Sequence, residues 1–337
     1  MQNKEKNFVS CVVYLHNEES EIKNFLSIVC RVMEENFEKY EVVCVNDGCV
    51  DDTVEQVKAF VAGEARKPVV SLINLSYYQG VESAMNAGRD LAVGDYLFEF
   101  DKCESDFEPN LIMEVYRRAL EGYDVVAAAP KFGISFSSRL FYKVYNWGSH
   151  RKGKLRQERF RVISRRAVNR VNQMNVYIPY RKAMYMNCGL KTDTIVYDNK
   201  VVYDNAAAYD SASVYDNETV RGNRKTAKKG RNREERSNRN TLAADTIIIF
   251  TDVLEKVSMT VSVVLFGALI VMFVWIVYSI FSKVRPVEGW LSLMALMSFG
   301  FFMTSVLLTL ILKYLSVILN MSFKRQRYVI EGVEKLT

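Results

Sequence analysis

The sequence predicts an α/β fold built on a parallel sheet with a smaller element appended. Three observations carry this. Strand-length apolar runs alternate with stretches of helical apolar spacing through the first 130 residues, the pattern of a parallel sheet covered on both faces. The chain has 337 residues, enough for one full α/β domain and something smaller. One of the strands, Tyr96–Phe100, empties into a cluster of acids, and open α/β sheets bind ligands just beyond the carboxyl ends of their strands.

The elements follow in order. Phe8–Tyr14 is a β-branched run. Glu18–Asn36 spaces Ile22, Phe25, Leu26 and Val29 as one face of a helix. Tyr40–Val45 reads as a strand and Asp51–Val61 as a helix with acids in its first turn. Val69–Leu75 is a strand, Gly80–Ala92 an Ala-rich helix, Tyr96–Phe100 a strand, Asn110–Leu120 a helix and Asp124–Ala129 a strand. Beyond Pro130 the pattern changes. Ser138–Trp147 places Leu140, Phe141, Val144 and Tyr145 on one face with Arg139 and Lys143 opposite, which suits a helix at a membrane surface as well as an ordinary domain-surface helix. Ser164–Val171 reads as a further helix.

Residues 197–218 repeat a Tyr-Asp hexad: YDNKVV, YDNAAA, YDSASV, YDNETV. This reads as an extended insertion without a catalytic task, a small β-coil being the alternative. The basic run RGNRKTAKKGRNREERSNRN follows. It precedes Met259–Phe281 and Trp290–Leu312, two uncharged segments that each exceed the ~20 residues needed to cross a bilayer. Their short link, SKVRPVEG, makes a helical hairpin. The expected organisation is a catalytic α/β domain over 1–196, the repeat over 197–218, and a basic juxtamembrane segment with an amphipathic helix over 219–258. Transmembrane helices follow over 259–281 and 290–319, with a basic tail over 320–337.

Net charge is +6, but residues 1–130 are acidic while Lys and Arg crowd 151–170 and 221–239. The second basic cluster, just before the apolar hairpin, fits contact with anionic headgroups or a lipid phosphate. With the tail residues Lys324, Arg325 and Arg327, it places both termini on the cytosolic side of an inner or plasma membrane, crossed more than once. The opening MQNKEKNFVS is polar, so no signal peptide is expected. The six cysteines (Cys11, Cys30, Cys44, Cys49, Cys103, Cys188) include no CxxC pair and mostly sit in apolar runs, as buried thiols in a reducing compartment do.

The acid cluster carries the chemistry. Gly94–Pro109 reads GDYLFEFDKCESDFEP, with Asp101, Glu104, Asp106 and Glu108 after the strand. Acids there suit a metal-bound phosphate. Cys103 stands where such a site would prefer another hard oxygen.

Several segments together resemble the family 2 glycosyltransferases of GT-A fold. The likeness is greater to the polyprenyl-phosphate branch, such as dolichyl-phosphate mannose synthase and the bactoprenol glucosyltransferases. Tyr14-Leu15-His16-Asn17-Glu18 resembles the family's P-V-Y-N-E turn. Asn46-Asp47-Gly48-Cys49-Val50-Asp51 resembles D-D-G-S-x-D, and Asp101 to Pro109 aligns with D-x-D-L-Q-D-P-P-E. QGVESAMNAGRDLAVGDYLFEFD, GYDVVAAA, SSRLFYKVYN, RFRVISRRAV and LKYLSVILNMSFKRQRYVI continue the match. The order and spacing of these motifs carry it, and it excludes the Tyr-Asp repeat.

The resemblance implies transfer of a sugar from a nucleotide sugar to a polyprenyl phosphate, in the service of a cell-envelope polysaccharide. It implies Tyr14, Glu18, Asn46, Asp47 and Asp101 as donor-binding residues. Asp101, Asp106 and Arg161 are implied as catalytic, and Asp101 as ligand to Mg²⁺ or Mn²⁺, the usual counter-charge for a departing diphosphate. Arg161, Arg233 and Arg236 are expected to take the acceptor phosphate, which guanidinium groups bind bidentately. The expected partners are the nucleotide sugar, the lipid and the membrane, with a homo-oligomer left open and no nucleic acid. Four positions depart from the pattern. Cys103 replaces the second Asp of D-x-D, and Asn46 the first Asp of D-D-G-S. Ser76-Tyr77-Tyr78 loses an arginine. Glu158-Arg159-Phe160-Arg161 loses an acid and gains a base at Arg159, which can stand in part for a cation. Because the departures cluster on the donor and acceptor sites, a catalytically weak or inactive scaffold subunit is the alternative.

Overall fold

In the computed structural model the alternation becomes a single eight-stranded sheet. The structure describes residues 4–63, 68–132, 136–148, 155–174, 180–199, 289–323 and 328–336, with isolated positions between 256 and 278. In chain order these form β1 (Val9–Leu15), α1 (Ile22–Asn36), β2 (Tyr40–Asn46), α2 (Thr53–Gly63), β3 (Val69–Leu75) and α3 (Val81–Leu91). Then come β4 (Tyr96–Phe100), α4 (Asn110–Leu120), β5 (Val125–Pro130), α5 (Phe136–Gly148), β6 (Phe160–Ser164) and α6 (Arg165–Gln173). The last are α7 (Arg181–Asn187), β7 (Thr192–Tyr197), α8 (Trp290–Phe323) and β8 (Ile330–Leu336). Across the sheet the order is β7-β5-β6-β4-β1-β2-β3-β8. Strands β4, β1, β2 and β3 are mutually parallel, as is β7 with β5, whereas β6 and β8 run antiparallel to their neighbours.

The hydrophobic pattern explains the layering. Every residue of β1 is buried, because helices cover both faces of a parallel sheet. The predicted stripe Ile22, Phe25, Leu26 and Val29 of α1 is fully covered, and Phe25 meets Phe100 edge-on with ring centroids 5.2 Å apart. Each such side chain contributes roughly 1.5–3 kcal/mol by leaving water. On the opposite face Gly88 of α3 lies so near the sheet that a Cβ would come within 2.3 Å of Val12 Cγ1 and 2.8 Å of Val45 Cγ2. Small residues in α3 are therefore a packing requirement. The parallel register pairs Leu15 with Asn46 and Val13 with Phe100, so the carboxyl ends of β1, β2 and β4 share one rim.

The structure adds elements that the sequence reading lacks. β6 lies within the basic stretch 151–170 and carries the fully buried Arg161. α7 and β7 complete the domain. The first Tyr-Asp unit is partly integral to it: Tyr197 ends β7, and Asn199 accepts from the Phe132 amide at 3.1 Å. The rest of the repeat, the basic run with Arg233 and Arg236, and most of 259–281 lie outside the described residues. α5 is a helix as expected. It seats Tyr145 fully buried beside Leu155 and Ala183, and leaves Leu140 and Trp147 exposed. The segment read as a basic tail contributes the last turn of α8 and then β8, which pairs with β3 as a new sheet edge. The expected transmembrane hairpin is not found: among the described residues no helix is long and apolar enough to cross a membrane. All six cysteines are free, five of them buried.

Candidate active site

Asp47, at the end of β2, organises the first half of the rim. Its Oδ1 accepts from the Gln79 amide at 2.6 Å, and its Oδ2 from the Gly80 amide at 2.8 Å and the Tyr14 hydroxyl at 3.0 Å. Gly80 reaches this position with φ +85°, a conformation that favours glycine. Burial pushes the Asp47 carboxyl up, and the donors from Gln79, Tyr14 and Gly80 oppose that shift. Asp47 thus anchors the loop before α3. Asn46 is equally engaged, donating to Asn74 Oδ1 at 2.9 Å and accepting from the Cys49 amide at 2.9 Å. The Glu18 amide is seated opposite the Thr53 hydroxyl at 2.8 Å. Beside them the rings of His16 and Tyr78 lie 4.5 Å apart, with His16 Nδ1 2.8 Å from the Asp47 carbonyl oxygen. This aromatic pair at the rim was missed in the sequence. The turn Tyr14–Glu18 marks one partner, but nothing local marks the crossing to Tyr78.

The second half of the rim is a buried ion network. Glu99 and Arg161 face each other across the β4–β6 ladder, and both are fully buried. Arg161 donates from Nη1 to Glu99 at 2.8 Å, from Nη2 to Asp101 Oδ2 at 2.7 Å and from Nε to Glu158 at 2.9 Å. Arg181, at the start of α7, donates from Nη1 to Glu99 at 2.6 Å, from Nη2 to Asp101 Oδ1 at 2.7 Å and from Nε to Glu82 at 2.9 Å. Lys182 Nζ adds a third cation, 3.4 Å from Asp101 Oδ2. Burial alone would raise the Asp101 carboxyl, but Arg161, Arg181 and Lys182 outweigh it and hold the group well below the ordinary carboxylate range. Tyr185 closes the network, donating to Glu99 Oε1 at 3.2 Å; burial and then the Glu99 charge push its hydroxyl up to about 12.

Two of the remaining acids, Glu104 and Asp106, are also engaged. Arg159 forms ion pairs with both Glu104 and Asp106. Asp106 Oδ1 also accepts from the Tyr197 hydroxyl at 3.0 Å, and Glu104 Oε1 from Lys102 at 3.2 Å. Glu108 is exposed. Cys103 points away from these groups. It is 1% exposed, belongs to the core packed under α1 and α4, and its thiol lies 3.6 Å from the Tyr14 carbonyl oxygen.

Most sequence-predicted residues therefore share one rim: Tyr14, Glu18, Asn46, Asp47, Asp101, Asp106 and Arg161. Several expected roles change there. Arg161 was expected to take the acceptor phosphate; here each of its three nitrogens donates to a carboxylate, Glu99, Asp101 or Glu158. Asn46 and Asp47 spend their polar atoms on neighbouring backbone and side chains. The donor set does not fit Mg²⁺ or Mn²⁺. Those ions take about six hard oxygens, whereas both oxygens of Asp101 are bound to cationic side chains, and no three His, Cys, Asp or Glu converge among the described residues. Glu99, Arg181, Lys182 and Tyr185 were missed in the sequence. Glu99 sits inside an apolar strand and α7 follows a stretch with no periodic signal. A cleft of about 280 Å³ opens beside Lys182 and Tyr185, lined also by Arg156, Glu158, Thr192 and Thr194.

The profile of the family described as Glycosyl transferase family 2 matches residues 10–185, from β1 through the network to α7. The chain belongs to glycosyl transferase family 2. Among its relatives is the Synechocystis protein named uncharacterized glycosyltransferase sll0501, 27% identical over 57% of this chain and 61% of that protein. The undecaprenyl-phosphate 4-deoxy-4-formamido-L-arabinose transferase of Aeromonas hydrophila is 32% identical over 37% of this chain and 38% of its own length. The chain thus spans about two-fifths to three-fifths of the length of these two relatives. A solved structure of the Pyrobaculum calidifontis mannosyltransferase PcManGT with GDP-Man and Mn²⁺ aligns at 16% identity, over 57% of each chain, with a TM-score of 0.42.

Proposed function

We propose that this family 2 protein moves a sugar from a nucleotide-sugar donor to a polyprenyl phosphate at the cytosolic face of a membrane. The observation that carries this reading is the family match over the whole rim, together with a relative named as an undecaprenyl-phosphate sugar transferase. The chemistry is compatible. An anionic phosphate oxygen is already a nucleophile, so the acceptor needs positioning and counter-charge rather than a strong base. The donor's nucleoside end is assigned to the rim formed by Tyr14, His16, Glu18 and the Asp47-anchored loop, where the His16–Tyr78 pair offers a stacking surface. The acceptor phosphate is assigned to the cleft holding Lys182 and Arg156, with Arg233 and Arg236 supplying further charge from the juxtamembrane segment. The two apolar segments Met259–Phe281 and Trp290–Leu312 provide the membrane hairpin in this reading.

The pairing of Asp101, Glu104 and Asp106 with cationic side chains favours a second reading, an inactive subunit that binds or scaffolds. Purified protein incubated with a panel of nucleotide sugars separates the two. Release of nucleotide from one donor, lost on Lys182→Ala, supports the transferase; silence across the panel, with the native fold intact, supports the scaffold.

A further inference from the structure

The acids after β4 have the composition of a hard-cation site and the wiring of a closed one. Each oxygen of Asp101 accepts from a different arginine at 2.7 Å, and Lys182 stands 3.4 Å from Oδ2. A divalent ion on either oxygen would sit against two guanidinium groups and an ammonium. It would have one carboxylate to hold it, in surroundings where burial limits screening. The next acids along the chain offer no escape. Arg159 bridges Glu104 and Asp106, whose remaining oxygens take Lys102 and the Tyr197 hydroxyl. The residue two beyond Asp101 contributes nothing, since the Cys103 thiol lies in the core.

We propose that this rim takes no divalent cation: Arg159, Arg161, Arg181 and Lys182 occupy the carboxylates that would ligate one, and a nucleoside diphosphate binds here independently of metal. Asp101 is then a positioning residue. Its carboxylate fixes Arg161, Arg181 and Lys182 in one cluster, and it reaches a ligand only through them. The exclusion of metal stands on the geometry alone; the nucleotide half rests on the donor-site reading given under the proposed function.

The test uses the full chain in detergent with Mn²⁺ as the probe. Free Mn²⁺ is followed by its paramagnetic resonance signal as the protein is titrated, without nucleotide, for the parent and for Asp101→Asn. No stoichiometric loss of signal is expected from either. Binding that survives Asp101→Asn is repeated with Glu104→Gln and Asp106→Asn: binding that survives all three lies elsewhere and agrees with the proposal, and binding lost on either would overturn it. Stoichiometric binding by the parent that disappears in Asp101→Asn would overturn it. A second measurement needs no variant. Calorimetric affinities for UDP and GDP are compared in EDTA and in Mn²⁺, and are expected to agree. Tightening of about tenfold or more by Mn²⁺, some 1.4 kcal/mol, contradicts the proposal. If neither nucleotide binds in either condition, the donor-site reading fails, while the metal titration still decides the exclusion of the ion.

Discussion

Glu99 and Arg161 are direct cross-strand partners on β4 and β6, and they form an ion pair of 2.8 Å with no solvent access to either side chain. A buried pair of this kind costs much to desolvate and is held by the completeness of its bonding. Here completeness comes from Arg181, Glu82, Glu158, Asp101 and Tyr185.

Removing Arg161 takes one of two guanidinium partners from Glu99 and Asp101 and the recorded partner from Glu158, leaving buried carboxylates in excess of their cations. Arg161→Ala should therefore lower stability by about 3–5 kcal/mol and weaken donor and acceptor use together. Denaturant unfolding in detergent and the two affinities check this. A selective loss of acceptor use at unchanged stability would return Arg161 to the phosphate role its sequence context suggests. Glu99→Met with Arg161→Met should cost less than the sum of the single changes.

The sheet was legible in the sequence because its strands are plain apolar runs and its helices carry clear stripes. Ile22, Phe25, Leu26 and Val29 are buried as their spacing requires. The rim was legible because acids after Phe100 are out of place in a core. What escaped has physical causes. Glu99 lies inside an apolar strand with nothing local to mark it, and the burial of Arg161 depends on its pairing with Glu99 across two strands. Arg181 and Lys182 enter the site through a helix of seven residues, too short for a periodic signal. The resemblance to D-x-D makes Cys103 the expected ligand position two residues beyond Asp101. The strand ends at Phe100, however, and the chain beyond it turns the thiol inward. β8 pairs with β3 across more than 250 residues of sequence separation, which no local pattern encodes.

Cys103 gives a sharp contrast between ligand and core readings. Burial raises its thiol well above the ordinary range, with nearby Glu18 adding to the effect. Iodoacetamide should leave it unmodified in the folded protein and label it after unfolding. Cys103→Asp should create no metal site and should destabilise the domain by about 1–3 kcal/mol or more, as burial of an unpaired polar group does. Gain of Mn²⁺ affinity in that variant would contradict the placement.

Asp101 sets an acid dependence. Its folded carboxyl lies well below the ordinary range, and an unfolded Asp titrates near about 3.9. The unfolded chain therefore takes up a proton that the folded chain refuses. The stabilisation is complete above about pH 4 to 5 and is lost as pH falls below it, toward the folded value. Melting temperature against pH should fall more steeply in that window for the parent than for Asp101→Asn; equal slopes would contradict the ion network.

Val329, just before β8, holds the loop that precedes α3. Gln79 Nε2 donates to the Val329 carbonyl at 2.7 Å and the Val329 amide donates back to Gln79 Oε1 at 2.8 Å, while the Gln79 amide serves Asp47. Val329→Pro removes one of these donors and should cost about 1 kcal/mol. Amide exchange in residues 76–80 should quicken in the variant; unchanged exchange there would mean the strand and the loop are independent.

If the apolar hairpin crosses the membrane with both ends inside, Glu288→Cys should label with an impermeant thiol reagent in intact cells and Arg327→Cys should not. The reverse pattern would invert the proposed orientation.

The most direct measurement is incorporation of label from each nucleotide sugar into an organic-extractable product, with purified protein and a polyprenyl phosphate, in EDTA. Sugar transfer to a lipid phosphate requires incorporation from at least one donor, dependent on the lipid and abolished by Lys182→Ala. No lipid-linked product from any donor, with or without Mn²⁺, by folded protein that still binds nucleotide would contradict it.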